Sequence, residues 1–248
     1  MTKRIKDKYP RVTEVTDLER IEMVKEIFAT ITRKYDFLNH FLSLRRDIAW
    51  RRFAVRKMRF FETYRMLDVA TGTADLAIDV ARGHPGTRII GLDFVKEMMD
   101  RARTKIRKWR LADRVQMMRG DALDLPFAES SFDVAAISFG LRNIPDKIGA
   151  LEEMLRVIVP GGQVMVLEMT LPGNRHFQKA YRVYLNRMLP RLAAFSPNPS
   201  AYYYLGDSIM NFPTPDALAG LMKKAGLKQV EKYRLTLGIT HLHVGVKP

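Results

Sequence analysis

Residues 65–93 admit few folds. Leu67-Asp-Val-Ala70 reads as the end of a short buried strand over 65–70, and Thr71-Gly72-Thr73 as a tight turn into a helix over 75–83. Ile89-Ile90-Gly91-Leu92-Asp93 reads as a second strand, 88–93, that ends in a carboxylate. In an open parallel sheet, ligands lie at the carboxyl ends of the strands. An acid about 20 residues beyond the glycine turn then meets ribose hydroxyls. Two cofactor classes use this arrangement, and charge separates them. A dinucleotide needs Gly-x-Gly-x-x-Gly/Ala and an uncharged helix N-terminus for its pyrophosphate. Here the three positions are Gly72, Ala74 and Ala77, and Asp68 and Asp75 flank the turn. Two carboxylates repel a pyrophosphate but suit an ammonium and a sulfonium, and the ligand carrying both is S-adenosylmethionine.

The rest of the chain continues the pattern. Further strands are expected at 115–119, 133–138 and 163–169, with helices near 95–110 and 147–157 and a Pro160-Gly161-Gly162 turn. Alternating strands and helices predict a mostly parallel sheet covered on both faces. Thr214-Pro215-Asp216 opens a further helix, and strands at 228–236 and 239–246 close the chain as an antiparallel edge about Leu237-Gly238. Two stretches fall outside this scheme. Leu18, Ile21, Val24, Phe28 and Ile31 step by three and four, predicting an amphipathic helix over 17–33, and 35–59 reads as a second helical stretch. Residues 177–192 form a helical, aromatic and basic insertion, followed by a Ser196–Ser200 loop. The expected division is a helical lid over residues 1–60 and a methyltransferase domain over 61–248 with an insertion at 174–210.

Composition bounds the chemistry. No cysteine is present, which excludes disulfides, thiolate metal sites and covalent cysteine addition to a pyrimidine, and fits a cytoplasmic protein. No apolar run approaches the roughly 18 residues of a membrane span, and the basic N-terminus has no apolar stretch behind it. The formal charge is +15, from 42 basic and 27 acidic residues. That excess suits a polyanionic partner or a charge-rich thermostable surface, and by itself does not choose between them.

Asp93 is the most specific candidate, as a ribose ligand, although an acid there can also cap the following helix. Gly72 in the turn and Asp121 after the third strand are further cofactor-side candidates, Asp121 equally a turn residue, and Asp68 can meet the methionine ammonium or hold its own turn. The fourth strand leads into Ser138-Phe-Gly-Leu-Arg142-Asn143, which faces the transferable methyl. A cation there can stabilise a developing phenolate, so Arg142 and Asn143 are the catalytic candidates. No Asp/Asn-Pro-Pro-Tyr/Phe follows this strand, which argues against methylation of exocyclic base amines. His241 and His243 share a strand face, but no third ligand accompanies them, so no metal is expected.

With Tyr35-Asp36-Phe37-Leu38-Asn39, Leu67-Asp68-Val69-Ala70, Ser138-Phe139-Gly140-Leu141-Arg142-Asn143, Pro160-Gly161-Gly162 and Tyr202, Tyr204-Leu205, the chain resembles the C-methyltransferases of ubiquinone and menaquinone biosynthesis. The resemblance runs from about Val24 to the end. It implies a Rossmann-like class I methyltransferase fold: a mostly parallel seven-stranded sheet, an antiparallel C-terminal strand and helices on both faces. It also implies methyl transfer from S-adenosylmethionine to a ring carbon of a polyprenylated quinol, with cofactor contacts at Thr73, Asp93, Asp121, Ala122 and Ser138. Tyr35, Asn39, Tyr202 and His243 are the expected substrate-side residues. The general base is sought in a water held by Asp121 or Asn143, or in His243. Two departures stand out. The family turn Gly-Gly-Thr-Gly-Asp is here Thr71-Gly72-Thr73-Ala74-Asp75, which requires a negative φ at Ala74. Before Trp50, Gly-x-His-Arg is replaced by Arg45-Arg46-Asp47-Ile48, near the expected substrate entrance.

The competing readings are another acceptor, either a small molecule or RNA, and a non-catalytic nucleic-acid or membrane-binding module. The quinol-family segments weigh against nucleic acid. A polyprenyl acceptor accounts better for the helical additions, whose arginines are then expected against an anionic membrane at its inner face. A monomer and a homodimer both remain open.

Overall fold

The computed structural model describes residues 9–32, 35–192, 198 and 200–248. Seven strands form one sheet in the order β3-β2-β1-β4-β5-β7-β6. They are β1 (Arg65–Val69), β2 (Arg88–Asp93), β3 (Val115–Arg119), β4 (Phe132–Ser138), β5 (Ile158–Met169), β6 (Lys228–Leu235) and β7 (Thr240–Val246). β1 to β5 run parallel, and β7 pairs antiparallel with both β5 and β6. The strand order reverses between β1 and β4, and there the carboxyl ends open a crevice. Gly140 keeps it narrow: a Cβ at that position would lie 2.9 Å from the Ala70 Cβ.

Helices cover both faces. On one, α3 (Arg46–Lys57), α4 (Asp75–Gly83) and α5 (Lys96–Lys108) bury Trp50, Ala77, Val80, Ala102 and Ile106 against the sheet. On the other, α6 (Lys147–Val157) and α10 (Pro215–Lys224) bury Leu151, Met154, Leu218 and Met222. A third apolar cluster roofs the carboxyl edge. It joins α1 (Asp17–Ile31) and α2 (Tyr35–Leu42) to α7 (Arg175–Val183), the π-helical turn Tyr184–Met188, α8 (Leu189–Leu192) and α9 (Ser200–Met210). Phe94 after β2 and Met169 at the end of β5 touch this roof from below.

Local chemistry explains where elements begin and end. Thr16 and Glu19 form a reciprocal capping box that starts α1, whose buried face is Met23, Val24, Ile27 and Ile31. The helical stretch expected over 35–59 breaks in two, because Leu44 and Arg45 adopt φ of 51° and 61°. That left-handed pair ends α2 and redirects the chain into α3. As a result residues 46–57, grouped with the lid by sequence, pack instead into the core beneath the sheet. The expected turn at Pro160–Gly162 is a bulge inside β5, with Gly161 at φ +77°. Apart from Asn198 and Ser200, the loop expected at 196–200 lies outside the described residues. Among the described residues no helix is long and apolar enough to cross a membrane.

Candidate active site

A cavity of about 260 Å³ opens at the carboxyl edge of β1, β2 and β4. Asp68, Gly72, Thr73, Asp93, Asp121, Ala122 and Ser138 all line it, as do Tyr35, Asn39 and Asn143. Arg142, Tyr202 and His243 do not.

The cofactor side is built on backbone. Asp93 at the tip of β2 accepts from Gly72 N at 2.8 Å through Oδ2 and from Val95 N at 2.9 Å through Oδ1. It therefore caps the next segment and pins the glycine turn, and each oxygen keeps a lone pair for a ligand hydroxyl. Burial pushes its pKa up against these backbone bonds. Asp68 Oδ2 accepts from Thr71 Oγ1 at 2.6 Å and from Ala77 N at 3.2 Å, leaving Oδ1 uncommitted. Burial raises Asp68 to about 7, with the bonds from Thr71 and Ala77 acting in opposition. Gly72 at φ +57° needs its missing Cβ. Ala74 was expected at negative φ and instead sits at +64°. Its methyl is fully buried among α4 and sheet residues, and that burial offsets the left-handed strain.

The Tyr35-Asp-x-x-Asn39 spacing is resolved by the helix. Tyr35 and Asn39, four apart, face the cavity together. Asp36 turns to the cofactor turn, accepting from Thr73 Oγ1 at 2.6 Å and from Lys105 Nζ at 3.1 Å. Lys105 also pairs with Asp75, so α2, the turn and α5 are tied at one ammonium. Sequence reasoning missed Lys105; a cation shared by Asp36 and Asp75 was not legible along the chain. Asp47, in the segment that departs from the family, is buried and meets Ser43 Oγ at 2.6 Å, His40 Nδ1 at 2.7 Å and Arg51 Nη1 at 2.8 Å. Arg51 reaches the cavity wall, so this departure supports the cofactor side.

Three expectations require correction. Arg142 does not face the cavity: its Nη1 lies 2.5 Å from Glu168 Oε1 and donates to Phe139 O at 2.6 Å. Burial alone would lower the Arg142 pKa; Glu168 more than offsets it. A guanidinium paired in place in this way holds the 3-10 turn Leu141–Asn143. Tyr202 is buried in the roof. Tyr204, buried in the same roof, does not line the cavity either, but its hydroxyl donates to the lining residue Asn143 at Oδ1, 3.0 Å away. His243 is fully buried, with Nε2 2.9 Å from Pro215 O under α10. Burial pushes its pKa down and His241 to about 4, so neither serves as a base at the cavity. Among the described residues no three metal-ligating side chains cluster.

The cavity suits the cofactor that the charges pointed to. Its lining carries four carboxylates (Asp68, Asp75, Asp93, Asp121) against three cationic side chains, Lys25, Arg51 and Arg119, and Arg51 is itself paired with Asp47, Asp75 and Asp79. The Ser138 hydroxyl is buried without a hydrogen-bond partner, a polar group at the cavity wall that fits a ligand contact.

Sheet order, switch-point crevice and acidic turn define a class I methyltransferase. A solved S-adenosylmethionine-dependent methyltransferase from Thermotoga maritima overlays with a TM-score of 0.63 at 19% identity, covering 90% of this chain and 99% of that one. The [4+2]-cyclase SpnF overlays at 0.59, so the shared fold does not by itself specify the chemistry. Residues 14–247 match the ubiE/COQ5 methyltransferase family, and the chain belongs to it. It is 40% identical over 230 residues to the ubiquinone/menaquinone biosynthesis C-methyltransferase UbiE of Geobacter sp. (strain M21), covering 92% of this chain and 98% of that protein. It is 42% identical over 228 residues to the demethylmenaquinone methyltransferase of Deinococcus radiodurans, covering 91% and 93%. The chain is thus an S-adenosylmethionine-dependent methyltransferase.

Proposed function

We propose that this protein methylates a ring carbon of a polyprenylated quinol, a demethylmenaquinol or a methoxybenzoquinol. The observation that carries the reading is one cavity with two unlike ends: acidic and backbone-lined at β1 and β2, amide- and tyrosine-lined under the helical roof. S-adenosylmethionine, when bound, supplies an electrophilic methyl group. Asp93 and Asp121 are the ribose and adenine partners in this reading, Asp68 the ammonium partner, and Gly72, Thr73, Ala122 and Ser138 complete the wall.

Carbon methylation needs electron density beside a ring hydroxyl. Asn143 donates to that oxygen as it becomes an oxyanion, and Tyr35 and Asn39 orient the ring. With His243 removed from the site, a water held by Asp121 or Asn143 is the candidate proton acceptor. Positioning supplies much of the acceleration. The lid in this reading is α1 and α2 with the insertion 174–210.

A tail-bearing acceptor also accounts for the outer surface of the roof. No acidic residue occurs between Glu168 and Asp207, while Arg175, Lys179, Arg182, Arg187 and Arg191 are exposed there. Peripheral contact with anionic lipid follows, and vesicle binding should weaken as salt rises. The test of the whole reading is turnover of labelled S-adenosylmethionine with short-tailed demethyl-naphthoquinols and demethyl-benzoquinols under reducing conditions. Carbon methylation of one class is expected; cofactor binding without transfer to either would overturn it.

A further inference from the structure

The acceptor end of the cavity contains a side-chain relay that no single element holds. Asn143 lines the cavity from the turn after β4, and its Oδ1 accepts from Tyr204 of α9. Tyr204 is 5% exposed, and the positive charge of Arg20 on α1 acts on its hydroxyl. Arg20 also donates through Nη2 to the Arg142 carbonyl at 2.5 Å. Three segments distant in sequence therefore meet at one amide.

The direction of these bonds decides what the cavity sees. Burial pushes the Tyr204 pKa up despite Arg20 and Arg142, so the hydroxyl stays protonated. Its proton is donated to Asn143 Oδ1, and the nearby Arg20 charge disfavours a second donor turned towards that guanidinium. An amide carries one acceptor and two donors, and a tyrosine on Oδ1 leaves the NH2 group for the cavity. Rotated by 180°, the amide would set its NH2 against the tyrosine and present a carbonyl, which repels an oxyanion.

We propose that Tyr204 is a positioning residue that fixes the Asn143 amide with its NH2 group towards the acceptor oxygen. Arg20, bonded to the Arg142 carbonyl, ties α1 to the same turn. The proposal rests on the quinol reading for its acceptor, but the amide orientation is a property of the protein alone. It assigns the roof a part in catalysis beyond covering a tail: α1 and α9 set the polarity of the site.

The test combines kinetics with a readout that needs no substrate. Tyr204→Phe keeps the ring and removes the hydroxyl. At saturating S-adenosylmethionine, kcat with a short-tailed demethylquinol is expected to fall about tenfold, with cofactor Kd unchanged. In an Asn143→Ala background the same substitution should cause no further loss, because nothing is left to orient. Multiplying effects in the double variant would overturn the proposal. Independently, the Asn143 side-chain amide resonance, identified by its loss in Asn143→Ala, is expected to shift and broaden in Tyr204→Phe. An unmoved resonance would overturn the proposal even if no quinol is turned over, whereas inactivity of the wild-type chain on every quinol bears only on the quinol reading. Should Tyr204→Phe fail to fold, Arg20→Gln weakens the tie between α1 and the Asn143 turn. It should lower kcat several-fold in the Asn143 wild type and not at all in Asn143→Ala; equal loss in both would count against the relay.

Discussion

The two ends of the cavity are built by different means. At the cofactor end, Asp93 and Asp68 sit at strand tips and are held by backbone N–H groups within about 20 residues in sequence. At the acceptor end, Asn143 is held by a side chain 61 positions away, and Arg142 by Glu168, 26 positions away. Backbone sites are as rigid as the sheet. Side-chain relays are only as ordered as the helices that supply them, and here those helices are the roof. The contrast suits a constant cofactor and an acceptor whose tail must enter.

The sharpest way to break the contrast is Arg142→Ala. It strands Glu168 as a buried, unpaired carboxylate, and loss of such a partner costs about 3–5 kcal/mol. Urea melts should show that loss; a stable variant lacking only turnover would restore Arg142 as a group acting on substrate. Next comes Asp93→Asn, which replaces a charged acceptor by an amide whose NH2 must face one backbone N–H. Calorimetry should show S-adenosylmethionine binding weakened about a hundredfold, with kcat at saturation changed far less. A fall in kcat with intact affinity would mean that the two ends are not separable.

A smaller effect concerns pH. Asp68, raised to about 7 by burial, is neutral below that pH and ionised above it. A cationic ligand favours the ionised form, so cofactor affinity should rise about tenfold from pH ~6 to ~8 and level off beyond. Asp68→Asn should flatten the profile; an unchanged slope would place the ammonium elsewhere. The smallest effect is at the turn itself. Ala74→Gly relieves a left-handed strain but removes a buried methyl, so stability should move by less than about 0.5 kcal/mol. Arg45→Gly relieves the same strain at an exposed position and should gain about 0.5–1 kcal/mol by thermal melt.

The cofactor end was legible in the sequence because its geometry is local: strand, turn and acid recur at spacings that the sheet imposes. The acceptor end was legible only in part. Tyr35 and Asn39 share a helix face, and their motif marks them. Tyr204 was not distinguished from Tyr202, because helical phase within a run of three tyrosines depends on where the roof packs. The pairing of Arg142 was hidden for a related reason. Its partner Glu168 lies at the end of β5, and no spacing rule brings β4 and β5 side chains together before the sheet order is known. The break between α2 and α3 was hidden as well, since Leu44 and Arg45 are poor predictors of a left-handed pair.

Asp133, fully buried at the amino end of β4, accepts from the backbone N–H groups of Phe61, Glu62, Thr63 and Tyr64. One carboxylate thus gathers four amides that lie 69 to 72 positions earlier in the chain. Until β4 has docked, these four amides lack their shared acceptor. Closing so long a loop is slow relative to forming local helices. The central strand pair should therefore assemble as one late event, and the four amides should lose hydrogen-exchange protection together with the β4 ladder.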